Sequence, residues 1–212
     1  MNKPKILYRF FKKKKYRDQF IRGLIRFGSL DTYKEIEDQR RDLDEGVPKG
    51  KYTTNKLMFL KINNVTGKVV DKGYKSGDIN ISGYSPNSFY IVSMSDDKAD
   101  LEFLSKKFGK YAVKINDIEK LVNLVNQKCN IPWNVGKIKL AQVKYDKDKY
   151  ITMEKNSPHL PVEYYFTQKS ETYAHEFEWR IVLTGSAIDQ SDEKFVVIKV
   201  GSLHEIVSRV DF

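Results

Sequence analysis

Residues His175 to Leu183 read HEFEWRIVL, and the architecture of the whole chain turns on whether they form a strand or a helix. In a strand, successive side chains point to opposite faces. Phe177, Trp179, Ile181 and Leu183 then make one apolar face, while Glu176, Glu178 and Arg180 share the other. In a helix, Glu176 and Arg180 would be a surface i,i+4 pair contributing only about 0.2–0.5 kcal/mol. The separation by chemistry, with the β-branched and aromatic content, favours the strand. The strand in turn raises a chemical question: why place two carboxylates and a guanidinium at alternate positions beside a large aromatic?

Outward from this stretch, the pattern predicts short strands and helices in alternation. Ile6 to Phe11, Leu24 to Ser29, Phe89 to Met94 and Tyr111 to Ile115 read as strands, and Val135 to Tyr145 as one long amphipathic strand. Tyr16 to Arg22 reads as a short helix with Tyr16, Phe20 and Ile21 toward the core, ended by Gly23. A second helix carries Leu101, Leu104 and Phe108, capped by Asp96 or Asp97 and closed by Gly109. A third, with Ile118, Leu121, Val122 and Val125 on one face, starts at the capping-box spacing of Asn116 and Glu119. The segment after Ser29 is dense in charge, with Tyr33 and Ile36 at helical spacing. Residues 51–85 hold short β-like runs, Lys56 to Ile62 and Gly67 to Val70, and predict an antiparallel excursion. Residues 146–161 read as a loop, Val162 to Lys169 as a helix, and VVIKVGSLHEIV as a strand followed by a helical turn. The expected fold is one α+β domain spanning 1–212, with mixed or antiparallel central sheets flanked by helices.

Composition narrows the function classes. The chain has 212 residues with 13 Tyr and 12 Phe, enough for a proper core. No run approaches the roughly 20 apolar residues of a membrane span, and the N-terminus is too poor in apolar residues for a signal-peptide core. A cytoplasmic location with no membrane partner is the expectation. The single Cys129 fits it, and its place on the core side of a helix suggests a structural thiol. Net charge is +10, from 38 basic and 28 acidic residues, a balance that attracts polyanions such as RNA or DNA. An AT-rich coding sequence would explain the same Lys, Asn, Tyr and Ile abundance.

Several familiar chemistries have no motif here: no glycine-rich phosphate loop, no Cys/His zinc cluster, no serine elbow. Glu35, Glu37, Asp38, Asp42, Asp44 and Glu45 offer oxygen ligands for a divalent cation, but interleaved Lys34, Arg40 and Arg41 suggest a charge-balanced surface, and no metal site is assigned.

Four blocks, LYRFF, GLIRFGSLDTYKEIED, IVSMS and TYAHEFEWRIVL, together resemble the bacterial family called domain of unknown function 2971, in the order that family has them. The second block departs from it, with DTYKEIEDQRRDLDEG replacing the family's Asn-Asp-Pro step. More distantly, a basic residue on the first strand, a Ser/Tyr element in mid-chain and a late Glu-x-Glu resemble ADP-ribosyltransferases of the Arg-Ser-Glu type. That resemblance implies an ADP-ribosyltransferase-like fold and NAD as the ligand. It makes Glu178 the catalytic carboxylate, Glu176 the residue that positions the acceptor, and Arg9 the partner of the NAD phosphates or ribose. Ser29 with Tyr33, or alternatively Ser93 with Ser95, would hold the nicotinamide ribose. Arg180 would keep both acids ionised. The enzyme so implied would be a toxin or an anti-phage effector acting on nucleic acid or an associated protein.

Three other readings compete. The E-x-E-x-R face can be a solvated ladder, neutralised by lysines on the neighbouring strand. The chain can be a non-catalytic nucleic-acid module, with Lys12, Lys13, Lys14, Lys15, Arg17, Arg22 and Arg26 on phosphates. It can be a metal-dependent nuclease built on Asp38 to Glu45.

Overall fold

The apolar stretch Phe89 to Val92 opens a strand at the centre of the sheet that is covered on both faces. The computed structural model describes residues 4–30, 49–62, 69–82, 89–129, 138–145, 150–152, 162–184 and 194–212. Within these, the first elements in chain order are β1 (Leu7–Phe11), α1 (Lys14–Ile21), β2 (Leu24–Ser29), β3 (Lys49–Ile62), β4 (Val69–Ser82) and β5 (Phe89–Asp96). Next come α2 (Leu101–Phe108), β6 (Tyr111–Ile115), α3 (Ile118–Lys128), β7 (Lys139–Gln142), β8 (Lys144–Tyr145) and β9 (Tyr150–Thr152). The chain continues with α4 (Glu163–Thr167), β10 (Gln168–Lys169), a 3-10 turn (Glu171–Glu176), β11 (Glu178–Thr184), β12 (Phe195–Lys199) and β13 (Val207–Asp211). The class is mixed α and β, with a large antiparallel sheet and few helices, as expected. No helix among the described residues is long and apolar enough to cross a membrane.

The eight-stranded sheet forks at β5. Along one edge β5 pairs with β11 over its whole length, from Thr184↔Phe89 to Glu178↔Ser95, and β11 pairs onward with β7. The other edge is divided. The start of β5 meets β2 at Tyr90 and Ile91, and its end meets β1 at Ser95 and Asp96. From there β2 leads to β12, while β1 leads to β6 and β13. Because β1 and β2 share one edge, the strands part between their contacts, and a gap opens opposite Ser93.

Side-chain parity then distributes the chemistry. Tyr90, Val92 and Met94 of β5, with Trp179, Ile181 and Leu183 of β11, enter the main core, which also takes Phe20, Ile21, Leu121 and Val125 from the helices. The opposite face begins apolar, with Phe89, Ile91 and Val182 against Phe166. Two residues further along, the same face becomes Ser93, Ser95, Arg180 and Glu178.

Several expectations need correction. Of the HEFEWRIVL stretch only the part from Glu178 onward is strand; His175 and Glu176 close a 3-10 turn, and Phe177 adopts left-handed backbone at φ 41 with its ring exposed. Phe177 therefore does not join Trp179 in the core. On α1 the inward face is Arg17, Phe20 and Ile21, and Tyr16 is exposed. The helix caps lie further along the chain than the acidic pairs suggest. Asp100 caps α2, accepting from the Phe103 N–H at 3.0 Å, while Asp96 ends β5. Asp117, not Asn116 with Glu119, caps α3 through the Lys120 N–H at 2.9 Å, and Asn116 donates to the Ser208 hydroxyl. Of the long strand expected over Val135 to Tyr145, residues 135–137 lie outside the described residues, and the rest is broken at buried Val143, whose N–H donates to the Glu178 carbonyl at 2.9 Å. The helix expected to reach Lys169 stops at Thr167, and the residues after the Leu203–Ile206 turn form an edge strand. In the 51–85 excursion the strands are longer than the sequence suggests, each of 14 residues, with β9 parallel alongside. Cys129 follows the last residue of α3 and is half-buried against the core.

Asp100→Ala should cost about 1 kcal/mol, since the Phe103 N–H would lose its acceptor. For a chain of this length that lowers Tm by about 2–4 °C in calorimetry.

Candidate active site at the fork of the sheet

The forked sheet brings three strand segments to one cavity of about 100 Å³. β1 contributes Tyr8, Arg9 and Phe10, β5 contributes Ser93, Met94 and Ser95, and β11 contributes Glu178 and Arg180. Phe108, Lys169 and Glu176 complete the wall. Tyr8, Ser95 and Glu178 form one continuous row, because Tyr8 pairs with Ser95 and Ser95 with Glu178. Ser93 and Arg180 form the next row. Arg9 follows the last β1–β5 pair, where the strands part. Its guanidinium reaches across the gap to donate to the Ser93 carbonyl at 2.9 Å, and it lies over the rings of Phe11 and Phe20.

The two carboxylates are buried, with Glu176 and Glu178 only 3% and 4% exposed. Charges without water must be paired. Lys169 supplies the central pairing, its Nζ donating to Glu176 Oε2 at 2.6 Å and to Glu178 Oε2 at 2.9 Å. Lys107 from α2 holds the other oxygen of Glu176 at 2.9 Å. Arg180, 1% exposed, donates from Nε to Glu178 Oε1 at 2.7 Å and from a terminal nitrogen to the Phe166 carbonyl at 3.0 Å. The Tyr173 ring lies between the two lysines, 5.2 Å from Lys107 Nζ and 4.7 Å from Lys169 Nζ. The Tyr145 hydroxyl accepts from the Glu178 N–H at 2.9 Å and so fixes where β11 begins.

Burial alone would raise the pKa of Glu178. The charges of Arg180 and Lys169, with hydrogen bonds from Arg180 and Ser93, outweigh it and hold this carboxyl well below the usual carboxylate range. The arrangement favours the ionised form of Glu178 over the protonated form that a general acid needs. Burial and the nearby Glu178 charge push the Tyr145 hydroxyl in the other direction, well above its ordinary value, so it stays neutral.

Among the expected residues, Arg9, Ser93, Ser95, Glu176, Glu178 and Arg180 all line the cavity. Ser29 does not; it ends β2 opposite Tyr90, its N–H bonded to the Lys194 carbonyl. Tyr33 and the acidic run from Glu35 to Glu45 lie outside the described residues. Among those described, no cluster of three or more His, Cys, Asp or Glu could hold a metal. The Glu-x-Glu-x-Arg face is not a solvated ladder: it is buried, and its lysines come from a helix and from β10 rather than from across the adjacent strands.

Of the basic residues, Arg17 cannot serve as a phosphate contact, because it is 2% exposed and bound to Asp18 and Asp211. Lys12, Lys13, Lys14, Lys15, Arg22 and Arg26 are exposed, with the Arg26 guanidinium 4.0 Å over the exposed Phe195 ring.

Lys107, Lys169, Tyr8 and Tyr145 are the site residues that sequence reasoning missed. Lys169 had a usable signal, since a lysine a few residues before the Glu pair is a ready counter-ion. Lys107, 69 residues from Glu176, had none. Searches of family models, of curated proteins and of solved structures returned no match to this chain.

Proposed function

We propose that the chain is an ADP-ribosyltransferase-like enzyme that cleaves the N-glycosidic bond of NAD, with the forked sheet as its catalytic frame. One observation carries the reading: Arg9, Ser93 and Glu178, far apart in sequence, meet at one cavity from three neighbouring strands, with Glu176 beside them. The donor set suits the ligand. Arg9, Lys107, Lys169 and Arg180 outnumber the two carboxylates among the described residues, leaving positive charge for an anionic diphosphate. The cavity is well below the roughly 300–1,000 Å³ of pockets that enclose whole drug-sized ligands. It would therefore hold the nicotinamide ribose and leave the adenosine end outside.

NAD supplies a pyridinium leaving group that departs neutral and needs no proton. A site whose principal carboxyl is held toward its ionised form suits that need better than it suits an oxygen leaving group, which calls for a protonated acid. In this reading Glu178 opposes the positive charge that develops on the ribose as the C1′–N bond lengthens, and its electrostatic effect is large because the site is buried. Ser93 and Ser95 hold the ribose hydroxyls, and Arg9 the phosphates. Glu176 accepts a hydrogen bond from the acceptor nucleophile, orients it toward C1′ and takes its proton as the C1′–N bond breaks and the new bond to C1′ forms. The acceptor is a nucleic acid or a protein bound to one, drawn by the exposed cations of α1 and β2.

The test is release of nicotinamide from NAD by the full chain, with a lysate of RNA, DNA and protein as acceptor. Release above background supports the reading. Neither NAD binding nor release would overturn it, and salt-dependent binding of RNA or DNA in the same samples would then favour the non-catalytic nucleic-acid module.

A further inference from the structure

Glu176 and Glu178 are both buried and approach each other to within two hydrogen-bond lengths, because each has an oxygen on the same Lys169 Nζ. Two carboxylates so close in a site shielded from water repel, and a cation held between them offsets that repulsion. The groups facing them are Lys107 from α2, Tyr145 from β8, Lys169 from β10, Tyr173 from the 3-10 turn, Ser93 from β5 and Arg180 from β11, with Tyr8 and Arg9 of β1 on the same cavity. Of these, Arg180 forms its ion pair with Glu178, and Lys107 with Glu176. Lys169 pairs with both.

We propose that Lys169 is a positioning residue whose ammonium, shared by Glu176 and Glu178, keeps both carboxylates ionised and side by side. The site then presents two anions at a fixed separation, one for the ribose and one for the acceptor, with no proton between them. The role assigned to each anion rests on the proposed NAD chemistry. The bridge itself rests on geometry alone, and the experiment separates the two.

The full chain labelled with ¹³C-glutamate is compared with Lys169→Met, Lys169→Arg and Lys169→Met/Glu176→Gln. Infrared spectroscopy reads protonated carboxyls across the neutral pH range, and nicotinamide release is followed in the same buffers. Wild type and Lys169→Arg should show no titrating carboxylic-acid band at neutral pH and a flat rate. Lys169→Met should gain one protonated carboxyl shared by the pair. Its rate should fall about tenfold per unit of pH below the midpoint, as for any step needing one deprotonated group. Removing the second carboxylate in the double variant should abolish the new band.

A folded Lys169→Met chain without the band overturns the proposal. Should Lys169→Met fail to fold while the double variant folds, the repulsion is demonstrated directly. Failure of both to fold overturns the proposal and assigns Lys169 to packing. Bands that behave as expected in a protein that releases no nicotinamide would leave the role of Lys169 standing and remove the NAD reading.

Discussion

Glu178→Gln is expected to lower nicotinamide release by at least about 10²–10³-fold, the loss usual when a preorganised electrostatic partner of a transition state is removed. The amide is the same size and its oxygen can still accept from Arg180 Nε, now 2.7 Å from Glu178 Oε1. Geometry is thus kept while the charge is lost. The fold will not be indifferent, because Arg180 and Lys169 are buried and lose part of their compensation. Release must therefore be measured well below the melting temperature of the variant, with near-UV circular dichroism confirming native packing. Glu178→Gln with native packing and undiminished release would refute the catalytic assignment.

Arg180→Met is expected to cost more stability than either Asp100→Ala or Glu178→Gln. Among the described residues Arg180 is the largest of the fully buried side chains, and its removal leaves the buried Glu178 relying on Lys169, a cation that it shares with Glu176. Breaking one side of a buried pair costs about 3–5 kcal/mol. For a chain of this length that is a fall in Tm of roughly 6–20 °C. Adding Glu178→Gln to Arg180→Met should restore part of the loss, because the stranded charge is then gone.

The pH dependence differs between the two backgrounds. In wild type the folded-state pKa of Glu178 is depressed, so its contribution is complete above the ordinary value of 4.5 and is lost as the pH falls below it. In Arg180→Met burial has less opposition and the folded-state affinity for the proton rises. Mild acid should then stabilise the variant relative to wild type. Thermal melts at several pH values decide this, and parallel curves for the two proteins would show that Arg180 does not control the charge of Glu178.

Local patterns in the chain carried much of this structure. Alternation along Glu178–Thr184 placed Trp179, Ile181 and Leu183 in the core, and the same logic located β1, β2, β5 and β6, because side-chain period depends only on neighbouring residues. Elements whose boundaries depend on tertiary partners were less legible. β13 is short and charged, and forms because β6 offers it an edge. The turn before Glu178 needs Phe177 in a left-handed conformation that sequence pattern does not announce.

The site divides in the same way. By itself the sequence placed Glu178 and Arg180 on one face of a strand, since residues two apart in a strand share a face whatever surrounds them; Glu176 joins them through the turn that precedes the strand. Only the tertiary structure put Ser93 and Ser95, and not Ser29, on the cavity with Glu178, because that depends on which strands lie beside β11. It alone brought in Lys107 and Lys169 and withdrew Arg17 into an ion pair with Asp211 at the far end of the chain. Burial and charge pairing are properties of what packs against a residue, and those contacts join positions that no local pattern links.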